Sequence, residues 1–239
     1  MRSQHLRESD AAVSGQTAAS PRGGGSHFAF YRYGVVLLML TAAFTFGMIA
    51  PGGGWARVFT ALLQGGAVVA ALSRAQAGRR LFGVGLAAIA VTVGTAVVAA
   101  FGGGYLGGIS DLAGAGLLVL VPVAIVLDFR RNLTVTIQSV LAAICIYVVL
   151  GMLFASVASA VAAISGEAYF AGRSSANSSD YMYFSFITLA TVGYGDYVPA
   201  TRLGRALAAL EGLSGQLYLV TVLALVVGNL GQRRRSSAP

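Results

Sequence analysis

The stretch from Thr188 to Asp196 carries a series of oxygen atoms that could bind a cation. It reads Thr-Leu-Ala-Thr-Val-Gly-Tyr-Gly-Asp. Gly193 and Gly195 can adopt backbone angles that residues with side chains resist, so neighbouring carbonyl groups can all point the same way. Together with the Thr191 hydroxyl group, the carbonyls of residues 191–194 then offer a line of oxygen ligands. A ring of such oxygens can replace the hydration shell of a dehydrated cation.

The residues on either side of this stretch must position it. Residues 181–190 are largely apolar but too few to cross a bilayer, and a re-entrant helix of roughly 10 residues fits them. Ser178, Ser179 and Asp180 are suitable N-cap residues. The negative end of the helix dipole would then face the cation. The alternative interpretation is a glycine turn between two buried helices of some other membrane protein.

The composition predicts an all-α, multi-pass membrane protein. The chain has 239 residues, of which 56% are hydrophobic and only 10% are charged, against roughly 25% charged in average proteins. Its net charge of +8 comes from arginines in the tails and loops, so we expect no nucleic-acid partner. Cys145 is the single cysteine and lies in an apolar run, which predicts a small buried hydrophobic side chain.

Six apolar runs approach the ~20 residues that a membrane helix needs. They cover residues 34–50, 58–73, 81–101, 112–127, 135–165 and 205–230. Pro122 should kink the fourth run, since it removes a helix donor. We divide the chain into a disordered tail (1–33), a four-helix membrane region (34–131), a region with the glycine-rich loop (132–231) and a short basic tail (232–239).

The distribution of arginine predicts the orientation in the membrane. Six spans place both termini on one side, and most arginines lie there: Arg2, Arg7, Arg22, Arg32, Arg74, Arg79, Arg80, Arg130, Arg131 and Arg233 to Arg235. The other side keeps Arg57, Arg173, Arg202 and Arg205. The positive-inside rule makes the arginine-rich side cytoplasmic. We therefore expect a plasma-membrane protein with both termini in the cytoplasm and the loop near the outer face.

From Val135 onward, somewhat under half of the chain resembles the two-span pore domain of bacterial potassium channels. The resemblance rests on the string Thr-Val-Gly-Tyr-Gly-Asp, residues 191–196 (the filter loop), behind a short helix and before a last apolar run. It implies an outer helix, a pore helix, a selectivity filter and an inner helix. It also implies that potassium ions bind at Thr191, Val192, Gly193 and Tyr194, that Gly195 completes the loop, and that Asp196 concentrates cations at the outer mouth and anchors the filter.

The resemblance has consequences for assembly and cofactors. One chain supplies one loop and a ring needs four, so we expect a homotetramer around a fourfold axis in the lipid bilayer. No cofactor is expected besides the permeant potassium ions. Gly212 and Gly215 fall early in the inner helix, where they could form a gating hinge or could simply allow close helix packing.

Two departures from the family pattern matter. Some bacterial relatives carry a carboxylate just behind the filter, where this chain has Ile187. On a helix of 100° per residue, Glu211 lies beside the cavity-lining stripe, so it should reach Ser185 or Thr188 and support the filter from there. A wetted side chain near the outer interface is the alternative.

The second departure concerns voltage sensing. Leu112–Leu127 contains no arginine, whereas a voltage sensor needs several charges in the membrane field.

The predicted function is passive, potassium-selective conduction without classical voltage gating. A weakly selective cation channel and a non-conducting sensor or scaffold with a pore-like fold remain as alternatives. A secondary transporter would show paired, interrupted half-helices, and this chain has one re-entrant segment. We do not expect an enzyme, because His5 and His27 lie in the tail and no nucleophile stands beside a base. The first four spans show no readable ligand site.

Overall fold

Seven α-helices and one π-helical turn make up the described part of the chain. A computed structural model describes residues 33–50, 53–75, 78–102, 104–131, 137–224 and 228. The helices are α1 (Gly34–Ile49), α2 (Gly54–Arg74), α3 (Arg79–Gly102), α4 (Gly104–Arg131), α5 (Ile137–Ser165), α6 (Ser178–Leu189) and α7 (Arg202–Tyr218), and the π-helical turn is Leu219–Leu223. No β-strand occurs in these ranges. The prediction of an all-helical fold is confirmed.

Four of the described helices are long and apolar enough to cross a membrane, namely α2, α3, α4 (over Tyr105–Arg130) and α5. Helix α1 is apolar but has 16 residues, and α7 with its π-helical turn continues toward residues outside the described ranges. The protein is therefore a helical membrane protein, and the count of six spans stays a prediction. Of the predicted tails (1–33 and 232–239), residues 1–32 and 232–239 lie outside the described residues.

Helix α4 differs most from its predicted span of residues 112–127. It begins at Gly104, ends at Arg131 and continues through Pro122. The predicted span is therefore shorter than the helix at both ends, and Arg130 and Arg131 belong to its last turn. Polar groups near both ends find partners inside the bundle: the Ser159 hydroxyl donates to Asp111 at 2.5 Å, and the Tyr33 hydroxyl donates to Asp128 at 2.6 Å. These partners let the helix extend beyond its apolar part.

The helices pack around one apolar core. Helix α2 contacts α1, α3 and α4, and α5 contacts α1, α4, α6 and α7. Fully buried side chains fill the space between them: Val36, Leu40, Val68, Leu72, Leu117, Leu118, Val121, Val149 and Met152. Large apolar side chains on the outside, such as Leu62, Val91 and Val98, are exposed, as expected for surfaces that face lipid.

The short helix α6 is enclosed by three longer ones. It contacts α1, α5 and α7. The rings of Phe44 in α1 and Phe186 in α6 lie 4.3 Å apart between centroids. Gly151 of α5 has no side chain at the point where the Phe186 ring approaches. These contacts hold α6, and the loop that follows it, at a fixed place in the bundle.

Candidate ion-conduction site

The start of α6 is fixed by a carboxylate cap. Asn177 is the N-cap, one residue before the predicted cap at Ser178, Ser179 or Asp180. The backbone N–H of Asn177 donates to Asp180 Oδ2 at 2.8 Å. Asp180 thus lies in the first turn, where a negative charge also interacts favourably with the positive end of the helix dipole.

The same carboxylate holds the residue that follows the filter loop. The hydroxyl group of Tyr197 donates to Asp180 Oδ1 at 2.7 Å, and this hydrogen bond raises the pKa of Tyr197. The guanidinium group of Arg173 lies 4.1 Å from the centroid of the Tyr197 ring, a cation–π geometry. Asp180 therefore connects the beginning of α6 to the end of the filter loop, a connection that we call the Asp180–Tyr197 clamp.

A short stretch of backbone pairing continues this connection. The N–H of Ala171 donates to the Val198 carbonyl at 2.8 Å, and the N–H of Ala200 donates to the Tyr169 carbonyl at 2.8 Å. Beneath this pairing lies an aromatic cluster of Tyr169, Phe170, Tyr181, Phe184 and Tyr197, with ring centroids between 4.9 and 6.1 Å apart. The segment before α6 and the segment after the filter loop are thus held side by side.

The backbone of the filter loop has positive φ at every second residue. The φ angles are 58° at Thr191, 50° at Gly193 and 80° at Gly195. Among the described residues, Thr191 alone has positive φ without being glycine. A β-branched residue in that conformation is strained, and such strain concentrates at functional sites. In an extended strand successive carbonyls point in alternate directions. In the filter loop, by contrast, residues with positive and negative φ alternate, and this brings successive carbonyls toward one side.

The first three amide groups of the loop donate hydrogen bonds to the end of α6, whereas the carbonyl groups of residues 191–194 accept none from the described residues. The N–H groups of Val192 and Gly193 donate to the Ile187 carbonyl at 2.8 and 3.2 Å, and that of Thr191 donates to the Thr188 carbonyl at 3.0 Å. These bonds satisfy the last carbonyls of α6, which a helix end otherwise leaves without partners. No described residue donates a hydrogen bond to the carbonyls of residues 191–194. Four backbone oxygens therefore remain free to bind a cation.

Glu211 lies where the sequence predicted, behind α6. It is 3% exposed, and its Oε1 atom contacts Ser185 Oγ. Ser185 Oγ also lies 2.6 Å from the Gly151 carbonyl oxygen. The carbonyl can only accept and the hydroxyl group has one proton. Both contacts are hydrogen bonds when Ser185 donates to Gly151 and Glu211 donates to Ser185, which requires the neutral carboxylic acid. The predicted contact with α6 is confirmed, and the effect on the filter stays a prediction.

The two glycines of α7 face the end of α6. Gly215 passes so close to Leu189 that a Cβ atom there would lie 2.8 Å from Leu189 Cδ1 and closer still to the Leu189 carbonyl oxygen. At Gly212 the nearest atom to a Cβ would be the Thr188 carbonyl oxygen at 3.8 Å. The α-helix is regular through both glycines and changes only at the π-helical turn Leu219–Leu223. Close packing explains Gly215, and the hinge remains a prediction.

Asp196, the last residue of the filter loop, is exposed. It interacts electrostatically with the hydroxyl group of Tyr183 in α6. Its predicted role at an outer mouth is not addressed by this contact. The residues that sequence reasoning missed are Asp180 and Tyr197 as a clamp: they are 17 positions apart on opposite sides of the filter loop, so no periodic pattern connects them. The signal available was an acidic residue in the first turn and a tyrosine directly after Asp196.

The fold and the site define a helical membrane protein with a short enclosed helix and a loop of free carbonyls. Residues 142–232 match a protein-family model described as "Ion channel". Over 47 residues the chain is 38% identical to a Rhodopseudomonas palustris protein named "Putative potassium channel protein", and these residues are 20% of this chain and 11% of that relative. No solved structure matches the chain. The C-terminal part of the chain is therefore similar to an ion channel domain, and the chain spans only a small part of the length of the relative that it matches.

Proposed function

We propose that this protein is a potassium-selective channel that conducts passively. The observation that carries the proposal is the filter loop itself, in which the free carbonyls of residues 191–194 lie on a backbone with alternating hand. Rings of carbonyls replace the hydration shell of potassium in potassium channels. The relative from Rhodopseudomonas palustris, whose name includes potassium, matches over a short stretch, and the string Thr-Val-Gly-Tyr-Gly-Asp supports the same ion.

The proposal requires four copies of the chain. One loop cannot surround an ion, so we propose a homotetramer with a fourfold axis through the filter loops. In the single chain, Val192 is 52% and Tyr194 is 72% exposed. One side of α7 also presents exposed apolar residues at helical spacing: Leu210, Leu213, Leu217 and Val220. These surfaces suit contacts with neighbouring copies and with the permeation path.

We propose that the channel has six spans and cytoplasmic termini in the plasma membrane, with α6 entering from the outer side. It should open without classical voltage gating, because residues 112–127 of α4 carry no arginine. Each gating charge is worth about 2.3 kcal/mol per 100 mV. Arg130 lies in the last turn of α4 and is exposed, which suits a cytoplasmic anchor. Steep activation by voltage, equivalent to several charges per channel, would contradict this part.

The test is reconstitution of the purified chain in liposomes loaded with potassium or with sodium. The expected result is potassium efflux at every membrane potential tested and little sodium efflux under the same gradient. Mass measurement of the same preparation in mild detergent should give four chains per particle. Equal efflux of both cations favours the weakly selective channel, and no efflux from a folded tetramer favours the non-conducting scaffold.

A further inference from the structure

A polar cavity lies between the first helices and the start of α6, away from the filter loop. Its volume is about 330 Å³. Its walls include one positive and one negative side chain, from α2 and α4, and several amide or hydroxyl groups: Arg57, Asp111, Gln64, Thr92, Ser110 and Ser159. Polar and ionisable groups in membrane helices are costly to bury and generally mark functional sites. None of these six side chains belongs to the filter loop or to α6.

Two of the polar side chains are nearly buried and have no hydrogen-bond partner among the described residues. Gln64 and Ser110 are each 6% exposed, and neither side chain makes a hydrogen bond with any described residue. No fully enclosed side-chain nitrogen or oxygen in the described part of the chain lacks a partner. The free polar atoms of Gln64 and Ser110 therefore face the cavity that both residues line. Buried polar groups without protein partners are rare, and each indicates a bound water, ion or other molecule.

The two charged side chains face the same cavity without forming an ion pair. Asp111 accepts a hydrogen bond from the Ser159 hydroxyl at 2.5 Å, which leaves its other lone pairs free. The guanidinium group of Arg57 lies against Gly107, where the missing side chain makes room for it. Arg57 still acts electrostatically on Asp111. The cavity thus offers a cationic and an anionic group at one place, with no net charge between them.

From this arrangement we infer that the cavity binds a small zwitterion of the amino-acid class. The carboxylate of the ligand would bind Arg57, because a guanidinium group matches a carboxylate with two parallel hydrogen bonds. Its ammonium group would bind Asp111, with Gln64 and Ser110 as further partners. The volume lies at the lower end of the range for small-molecule sites, roughly 300–1,000 Å³. A simple cation or a simple anion would leave one of the two charges without a partner.

Such a ligand would also touch the conduction machinery. The wall of the cavity includes Asn177, Ser178 and Ser179, the cap and first residues of α6, and Met182 one turn further. The filter loop follows the other end of that helix. This step rests on the proposed function: the zwitterion would act as a regulator, because its binding at the start of α6 would change the open probability of the channel.

Binding is tested on the full chain in detergent, without measuring transport. Thermal unfolding is followed with each of the twenty L-amino acids at about 10 mM, since a ligand stabilises according to its concentration relative to its Kd. Methylammonium and acetate, the two halves of glycine, serve as controls. We expect at least one amino acid to raise the unfolding temperature and the two halves to leave it unchanged. The inference is overturned if no amino acid does so, or if methylammonium or acetate alone does as well.

Three variants and one control locate the site. Arg57→Gln and Asp111→Asn should each weaken binding of that amino acid by roughly tenfold or more, because each removes one charge-assisted contact. Gln64→Leu should abolish the ligand-induced shift while raising the unfolding temperature of the ligand-free protein, which a purely structural role would not do. The control is Arg80→Gln, which changes an exposed arginine at the beginning of α3. This variant should bind the amino acid as the parent does. Unchanged binding in Arg57→Gln or Asp111→Asn would place the site elsewhere.

Flux measurements then separate the site from the channel. The amino acid that binds should change potassium efflux from liposomes of the parent protein and leave efflux from Asp111→Asn unchanged. Binding with unaltered efflux would contradict the regulatory part. Binding in a protein that conducts no potassium would leave the site standing and would instead contradict the proposed function.

Discussion

Behind the filter loop the buried polar side chains form hydrogen bonds, whereas the cavity between α2 and α4 is lined by two nearly buried polar side chains without a hydrogen-bond partner among the described residues. Glu211, Ser185 and Gly151 form a closed chain of contacts behind the filter loop. Gln64 and Ser110 are also buried, but they line the cavity. A closed network fixes one geometry, which backbone ligands need. An open one leaves room for a molecule to arrive. This difference suits a rigid geometry for the ions of the proposed function and an adaptable one for the ligand of the further inference.

The backbone of the filter loop should be the most sensitive part of the rigid region. Gly193 has a φ of 50°, and a side chain in the left-handed region costs roughly 1–2 kcal/mol. We expect Gly193→Ala to reduce potassium efflux by roughly tenfold, because about 1.4 kcal/mol corresponds to a factor of ten.

The matched control is Gly94→Ala in α3, where a Cβ atom would meet nothing within 4 Å. Alanine is a better helix former than glycine by up to about 1 kcal/mol, so this variant should conduct like the parent. Efflux from Gly193→Ala at the parent level would show that the loop conformation does not matter for conduction.

The contact of α7 with α6 should tolerate a methyl group at one glycine and not at the other. Gly215→Ala places its Cβ against the Leu189 carbonyl, and overpacking of this kind costs about 1–3 kcal/mol. Gly212→Ala has an ordinary contact distance of 3.8 Å and should be close to neutral. Unfolding temperature in detergent distinguishes them. If both variants lose conduction and neither loses stability, the glycines act as a hinge instead.

The buried network predicts a difference between two substitutions of Glu211. Glu211→Gln keeps a neutral group that can donate to Ser185, so we expect tetramer stability and open-channel lifetime near those of the parent. Glu211→Leu removes the donor and should cost about 1–3 kcal/mol, the typical loss when a buried hydrogen bond is broken from one side. Gel mobility after graded heating and single-channel recording measure the two properties. Parent-like behaviour of Glu211→Leu in both would refute support by this residue.

The Asp180–Tyr197 clamp should give the smallest effect, because it lies near the surface. Tyr197→Phe keeps the ring under Arg173 and loses one hydrogen bond to a carboxylate, which is worth about 1–3 kcal/mol when well formed and less in water. We expect a modestly lower unfolding temperature and shorter openings.

The pKa of Tyr197 gives this prediction a pH dependence. Since the hydrogen bond to Asp180 raises that pKa, the clamp contributes below the ordinary tyrosine value of about 10 and is lost as the pH rises through the raised value. The difference between Tyr197→Phe and the parent should therefore be constant around neutral pH and vanish in strong alkali. A difference that disappears already near pH 7 would contradict the assigned donor.

The parts that the sequence predicts are those that depend on local patterns. Apolar runs predicted helices α1 to α5 to within a few residues, except at the ends of α4. Because helical spacing is regular, the position of Glu211 on its helix predicted a contact with Ser185 or Thr188. The clamp and the cavity depend on contacts between distant residues. Asp111 stands at the edge of the predicted fourth run, so nothing local shows that the helix starts earlier and carries this carboxylate into the bundle.

The reversal potential between potassium on one side and sodium on the other tests potassium selectivity most directly. Purified protein in a planar bilayer should reverse close to the potassium equilibrium potential, as expected if the carbonyls of residues 191–194 replace potassium hydration. Gly193→Ala, which disturbs those carbonyls, provides the comparison. A reversal potential near zero in the unmodified protein would mean equal permeability to both ions and would contradict potassium selectivity.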